Sequence, residues 1–353
     1  CGLVMLVYAY RYGAAVGGKT QGLVVAMLSL VLPALFAAGF LMTPDAPLLA
    51  AGTAATYYLH RALVGGQARA WYGAGLAGGL ALLAKYTAVL LAPAALVYLL
   101  LDARARVWLR RPQPWAAVGL AALVFSPVLV WNAQHEWASF AFQGSRRLQQ
   151  SFDFSTHLMA LHVLALLGPL GLAALAWGLG GRARGMSGAD RRFALVFTAV
   201  PLAVFGTFSL FNYPHFHWTA LAWAAALPVL AAAADVRLAR PRWLERTWQL
   251  GLPATALAFA LTLHWITLGL PGVPRKDFGV GYLGWTPAAQ AVAEIEREVQ
   301  HATGQRPIVV GLSKWSLASA LRYHDADGVH SNITSRQLLG GSGAMYEWWF
   351  HDD

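Results

Sequence analysis

Long apolar runs, broken by single charges or short basic clusters, dominate the first 270 residues. Gly22 to Met42 carries no charge, and neither does Ala46 to Leu59. Such runs reach or approach the roughly 20 residues that cross a bilayer as a helix. The pattern predicts helical spans near 1–13, 20–42, 46–64, 71–84, 86–101, 115–132, 157–178, 193–211, 215–234 and 248–270. The boundary between the fourth and fifth is the weakest, because only Lys85 and Tyr86 interrupt the apolar run there.

After Pro271 the pattern changes. Residues 271–353 hold seven of the 26 Lys and Arg and nine of the 16 Asp and Glu, with no long apolar run. A glycine-rich stretch (GVPRKDFGVGYLGW) leads to Thr286 and Pro287, a cap followed by proline at the first helical position, and a helix to about Ala302. RPIVVGLS reads as a strand with a turn, and KWSLASALRYH as a second helix. The aromatic MYEWWF, from Met345, reads either as packing against the membrane domain or as a wall near an acceptor. The predicted fold is mainly α: a polytopic membrane bundle over 1–270, with a small α/β domain over 271–353.

Charge sharpens this picture. Only 12% of residues are charged, about half the share of a soluble domain. The net charge of +10 and pI near 10.0 might point to nucleic acid, but the basic residues fall in short clusters between spans. Alternate loops hold sixteen of them: Arg11 and Lys19; Arg61 and Arg69; Arg104, Arg106, Arg110 and Arg111; Arg182, Arg184, Arg191 and Arg192; Arg237, Arg240, Arg242 and Arg246. The opposite loops hold three, Lys85, Arg146 and Arg147. The positive-inside rule puts the crowded loops in the cytoplasm and the sparse loops outside, together with the C-terminal domain. The expected location is the bacterial inner membrane.

The polar residues on the outer side are the candidates for chemistry. Asp45 follows Thr43 and Pro44, between two apolar runs. Two readings stand: a cap at a helix start, or a carboxylate facing a polar cavity. Lys85 is either a lysine snorkelling at a helix end or a cation meeting a phosphate. In SPVLVWNAQHEWASFAFQGSRR, Trp131 and Trp137 suit interface depth, while Asn132, His135 and Glu136 offer hydrogen bonds beside aromatic faces, as a sugar site does. Arg146 and Arg147 follow and could hold a phosphate. NYPHFHW carries His215 and His217 at i and i+2, either metal ligands or interfacial hydrogen-bonding residues.

The chain lacks a phosphate-cradling P-loop, a dinucleotide fingerprint, an HExxH pair and a G-x-S-x-G elbow. With one cysteine, Cys1, an intrachain disulfide is impossible. A lipoprotein-type Cys1 would be expected to carry a polar tether, whereas GLVMLVYAY follows, so the expectation is a fragment cut at its N-terminus and, since HDD closes no element, at its C-terminus too.

LMTPDAPLLAAGTAATYYLHRAL, GLALLAKYTAVLLAPAALVYLLL and FSPVLVWNAQHEWASFAFQ resemble consecutive stretches of GT-C class membrane glycosyltransferases. The aminoarabinose-to-lipid-A transferases and protein O-mannosyltransferases are the nearest such groups. GLSKWSLASALRYH and MYEWWF resemble their extracytoplasmic tail. The resemblance implies a donor sugar on a polyprenyl phosphate and transfer to a lipid, protein or glycan acceptor at the outer face, without nucleotide sugar. In such enzymes a first outer-loop carboxylate acts as base and a second acid lies in the next outer loop. Asp45 matches the second position, and the first is expected upstream of Cys1. By the same resemblance Lys85, Arg146 and Arg147 are expected to contact the donor phosphate, while the residue pattern itself makes Trp131, Asn132, His135, Glu136 and His217 the candidates to line the sugar or acceptor. A divalent metal could assist, although no site for one stands out. The competing readings are a transporter or flippase for a lipid-linked or anionic substrate, and a noncatalytic scaffold. Transporters usually show internal repeats, which this chain does not.

Overall fold

The computed structural model describes residues 1–41, 43–144, 154–177, 186–233, 242–269, 285–312, 315–324, 332–341, 343 and 345–346. It divides into two compact units, Cys1–Ala256 and Leu257–Asp353. The first contains helices α1 (Gly2–Val31), α2 (Pro33–Phe40), α3 (Asp45–Leu63), α4 (Ala70–Ala84), α5 (Leu91–Leu101), α6 (Pro112–Gln134), α7 (Ala138–Gln143), α8 (Thr156–Trp177), α9 (Gly188–Ser209) and α10 (Ala220–Ala233). Short 3-10 turns cover Tyr86–Leu90, Ala105–Arg110 and Phe216–Thr219. Helix α11 (Arg242–Thr267), the last apolar segment, crosses the division between the units.

The first two spans are the two limbs of α1. Gly17 and Gly18 leave helical geometry, and Gly18 has φ +82°, which glycine adopts without steric penalty. A Cβ on Gly22 would lie 2.7 Å from the Tyr10 carbonyl, and one on Gly13 would lie 2.6 Å from Val25. Residues twelve apart touch only if the chain doubles back, so α1 is a hairpin. Lys85, at φ −163° and ψ 134°, breaks α4 from the turn that follows, where the boundary was weakest in the pattern.

Helix α10 is the centre. Ala220 to Ala232 is buried almost throughout, as expected of a helix apolar on every side. Pro228 removes one N–H from its ladder. Side chains of α1 supply donors nearby: Tyr12 Oη–H to the Ala225 carbonyl at 3.2 Å and Gln21 Nε2 to the Pro228 carbonyl at 2.8 Å. Backbone carbonyls with no water at hand need such partners. The outer faces of α1 and α6 expose Leu23, Met27, Val118 and Leu123, which suits contact with lipid tails. Among the described residues four helices, α1, α6, α8 and α9, are long and apolar enough to cross a membrane. The chain is a multi-pass membrane protein.

The start of α3 meets the end of α4 through Asp45 and Lys85, and the end of α3 meets the start of α9 through His60 and Asp190, so the bundle has two ends. At one, His60 of α3 contacts Asp190 of α9 at 2.7 Å, Arg192 contacts Asp102 at 2.6 Å, and Trp71 meets Trp108 edge to face. Ser187 caps α9 by accepting from the Asp190 N–H at 3.1 Å. Arg61, Arg69, Arg104, Arg110 and Arg191 belong to the segments at this end. The other end gathers the start of α3, the break at Lys85, the end of α6 and the start of α10.

The second unit contains α12 (Trp285–Thr303), β1 (Val309–Gly311), α13 (Trp315–His324) and β2 (Ile333–Ser335). The strands pair in parallel, Val309 beside Ile333, with α13 in the connection, a β–α–β arrangement. Its core joins Ala289, Ala318, Leu321, Ile333 and Tyr346. Tyr346 of the MYEWWF segment is thus packed inside this small unit, its hydroxyl 3.2 Å from Ser319 Oγ. Residues 347–350 of that segment lie outside the described residues.

Two predictions follow from the packing and the ends. A Cβ on Gly75 would meet the Ala117 carbonyl of α6 at 2.5 Å, whereas one on Gly78 meets nothing within 4 Å. Gly75→Ala should lower stability by about 1–3 kcal/mol, and Gly78→Ala should be neutral or stabilising by about 0.5–1 kcal/mol, read by thermal unfolding in detergent. Equal effects would contradict the close α4–α6 approach. With Cys1→Ser as background, Glu136→Cys and Arg110→Cys should react with an impermeant thiol reagent from opposite sides of sealed vesicles. Labelling of both from one side would overturn the arrangement of ends.

Candidate active site

Asp45 opens α3, yet no side chain caps that helix. The first N–H groups are met by backbone turns instead: Ala46 N–H donates to the Thr43 carbonyl at 3.0 Å and Leu48 N–H to the Pro44 carbonyl at 3.2 Å. The capping reading of Asp45 therefore gives way. Its Oδ1 accepts from Lys85 Nζ at 2.7 Å, and its Oδ2 lies 3.8 Å from His217 Nε2. The side chains of Asp45 and Lys85 are 14% and 19% exposed, so the pair is shielded but reachable. Position in the helix matters as well, since a carboxylate in the first turn lies in the favourable field of the N-terminus.

Three separate elements bring this group together. The extended backbone at Lys85 ends α4 and turns the side chain toward the start of α3. His217 arrives on the 3-10 turn before α10, its ring parallel to that of His215 at 5.9 Å between centroids. Beside Lys85 is a cavity of about 190 Å³ lined by Lys85, Tyr86, Thr87, Gln143, Phe205, Phe208 and Trp218. One cation at the edge of an otherwise mostly aromatic wall is suited to an anionic group attached to an apolar or stackable body. A larger depression on α12, lined by Glu294, Arg297, Glu298 and His301, is open surface of one helix.

The loop after α6 shapes one side of the cavity. Asn132 is fully buried. Its Nδ2 donates to the Val128 carbonyl at 2.9 Å, and its Oδ1 accepts from Ser139 N–H at 3.1 Å and Ser139 Oγ–H at 2.7 Å. With the Ser139 proton so used, the Tyr86 hydroxyl donates to Ser139 Oγ at 2.8 Å. The Tyr86 ring stacks on Phe140 at 5.3 Å and meets Phe125 edge on at 5.8 Å. Asn132, expected to touch a sugar, is instead committed to holding the loop and orienting a cavity-lining tyrosine.

The other expected sugar residues sit in the same turn. His135 stacks flat on Trp131 at 4.2 Å and its Nδ1 is 2.7 Å from the Trp131 carbonyl. Glu136 and Trp137 both have positive φ, +52° and +56°, unusual for side-chain-bearing residues and held by the Trp137 N–H donating to the Asn132 carbonyl at 2.8 Å. These described contacts are local to the turn, whereas Asp45, Lys85 and His217 converge. Arg146 and Arg147 lie outside the described residues. Among the described residues no group of three His, Cys, Asp or Glu side chains comes together as for a metal.

Sequence reasoning missed Tyr86, Gln143, Phe205, Phe208 and Trp218. Tyr86 had a signal, its place directly after the isolated Lys85. The phenylalanines lie in an apolar run with nothing to mark the side facing the cavity.

Residues 1–131 match the family model described as dolichyl-phosphate-mannose-protein mannosyltransferase. The fold is similar to that of ArnT from Cupriavidus metallidurans bound to undecaprenyl phosphate, with a TM-score of 0.58 and 19% identity over 93% of this chain and 59% of that one. The apo state of the same protein gives a TM-score of 0.55, again at 19% identity and with the same coverage, 93% and 59%. This chain therefore spans about three-fifths of the length of those solved chains. No curated protein matches it. The polytopic, mainly α architecture expected from the pattern is that of ArnT.

The loop makes its own prediction. Asn132→Ala removes the acceptor of two hydrogen bonds and leaves buried groups unmet, so stability should fall by about 1–3 kcal/mol. Backbone amides of 132–143 should exchange faster with solvent, and those of α3 should not. Unchanged protection of the loop would show that Asn132 does not organise it.

Proposed function

We propose that the chain forms the donor-binding and catalytic core of a glycosyltransferase that moves a sugar from a polyprenyl phosphate to a lipid, protein or glycan acceptor at the outer face of a bacterial inner membrane. The observation that carries this reading is the Asp45–Lys85 pair at the edge of an aromatic cavity, in a fold shared with a protein crystallised with undecaprenyl phosphate. The match of residues 1–131 to a mannosyltransferase family model points the same way.

The chemistry needs few groups. An acceptor hydroxyl attacks the anomeric carbon, the bond from that carbon to the phosphate oxygen breaks, and the polyprenyl phosphate leaves with the electron pair. Lys85, with Arg146 and Arg147, neutralises the charge that grows on the phosphate. Asp45 takes the proton that the hydroxyl gives up. Tyr86 and Trp218 offer faces on which the apolar side of a sugar ring can stack. A first carboxylate of the kind the resemblance implies would add to this set.

A transporter for an anionic lipid is the other reading in view. Substrate sites of transporters lie near the bilayer midplane at the interface of repeats. The charged group here lies at helix ends, which favours surface chemistry.

The test uses vesicles loaded with the protein and a polyprenyl-phosphate sugar carrying a radiolabel. Label should pass to an acceptor, and Asp45→Asn should slow transfer by about 100-fold or more. Transfer at the wild-type rate would take Asp45 out of the mechanism. Movement of intact labelled lipid across the membrane, with no sugar released, would favour the transporter.

A further inference from the structure

We propose that His217 is a positioning residue for Asp45: it takes up the carboxylate when Lys85 leaves Asp45 for a phosphate. This rests on reading the site as one for a polyprenyl phosphate, and it adds a step in which donor binding prepares the carboxylate.

The geometry sets the problem. Lys85 Nζ is 2.7 Å from Asp45 Oδ1, a full charge-assisted hydrogen bond. In this arrangement each group blocks the other. The lysine cannot give its charge wholly to a phosphate while it holds the carboxylate, and the carboxylate's Oδ1 is occupied while the lysine stays. When a phosphate draws the lysine away, Asp45 is left largely shielded from water, and a shielded carboxylate without a partner is costly.

His217 answers that cost. Its Nε2 lies 3.8 Å from Oδ2, the oxygen that Lys85 does not use. This is too long for a hydrogen bond, and closing it to about 2.8 Å needs a shift of roughly 1 Å. The ring sits on a short turn, is 36% exposed and lies parallel to the ring of His215. A neutral imidazole with its proton on Nε2 can donate to Oδ2, which holds the carboxylate in place once the ammonium has gone. Lysine and histidine thus act in turn on the two oxygens of one carboxylate.

The idea makes a prediction of unusual sign. If Asp45 competes with the phosphate for Lys85, then Asp45→Asn strengthens phosphate binding although it abolishes transfer. A carboxylate that only positions the lysine would give the reverse. The full chain in nanodiscs is titrated with undecaprenyl phosphate, with undecaprenol as the uncharged control, at a temperature where thermal unfolding shows every variant to be folded. The wild type should bind the phosphate more tightly than the alcohol, and Lys85→Met should lose that preference. Asp45→Asn should tighten phosphate binding by about three- to tenfold. His217→Ala should weaken it by a similar factor in the wild type and have no effect in the Asp45→Asn background. His217→Gln, whose amide can donate to Oδ2, should restore most of the loss.

The outcomes separate. A wild type that does not distinguish phosphate from alcohol overturns the donor-site reading and this inference with it. Clear phosphate preference, with Asp45→Asn neutral or weaker, overturns the exchange alone. Equal loss from His217→Ala in both backgrounds shows that the histidine does not act through Asp45, and that too overturns the proposal.

Discussion

Hydrocarbon offers a polar group no partner except protein, and this constraint sorts the whole chain. Charged side chains of the bundle stand near helix ends, and three of its described acids find counterparts there: Asp45 with Lys85 at one end, Asp190 with His60 and Asp102 with Arg192 at the other. Between the ends the helices meet through alanine, glycine and leucine. Where proline interrupts a ladder in buried α10, Tyr12 and Gln21 of the neighbouring hairpin reach carbonyls near the interruption. The same requirement that holds the bundle together therefore concentrates reactive groups at two surfaces.

The two surfaces differ in a way that bears on function. At the basic end Asp102 is tied to Arg192 and to the N–H groups of Arg104 and Ala105, and Asp190 to His60 and to its own capping serine. Each carboxylate there is used several times over in locking one helix terminus to another. At the opposite end, among the described residues, Asp45 caps nothing and has one close partner, with a second group just beyond bonding distance. Saturated carboxylates hold a structure, whereas one with spare capacity beside a cavity can change partners.

Spans were legible because apolar runs of membrane length have few alternatives. Legible too were the strand near Val309 and both flanking helices of the C-terminal unit, the first of them marked by Thr286 and Pro287 near its start. Asp45 stood out from its surroundings, but its role did not, because Thr-Pro-Asp before an apolar run is equally a helix start. Only the backbone geometry at Thr43 and Pro44, which meets the first N–H groups without the side chain, separates the two. Asn132 misled for a related reason: an amide beside aromatic residues looks the same whether it faces a ligand or its own loop. Phe205 and Phe208 carry no signal at all, since the cavity they line is made by packing between segments far apart in the chain.

The Asp45–Lys85 pair itself argues for activity over architecture. A half-shielded ion pair of this kind contributes little to stability, on the order of 0–1 kcal/mol when exposed and often nothing net when buried. Apolar residues could fill the same space at a helix end in a membrane bundle with no such penalty. Losing either partner alone is what costs, since it strands the other charge. A pair that stabilises so little together and destabilises so much apart is a poor fastening. It is a good arrangement for a site whose ligand brings its own negative charge, because the arriving anion replaces the carboxylate on the lysine and the helix ends need not move.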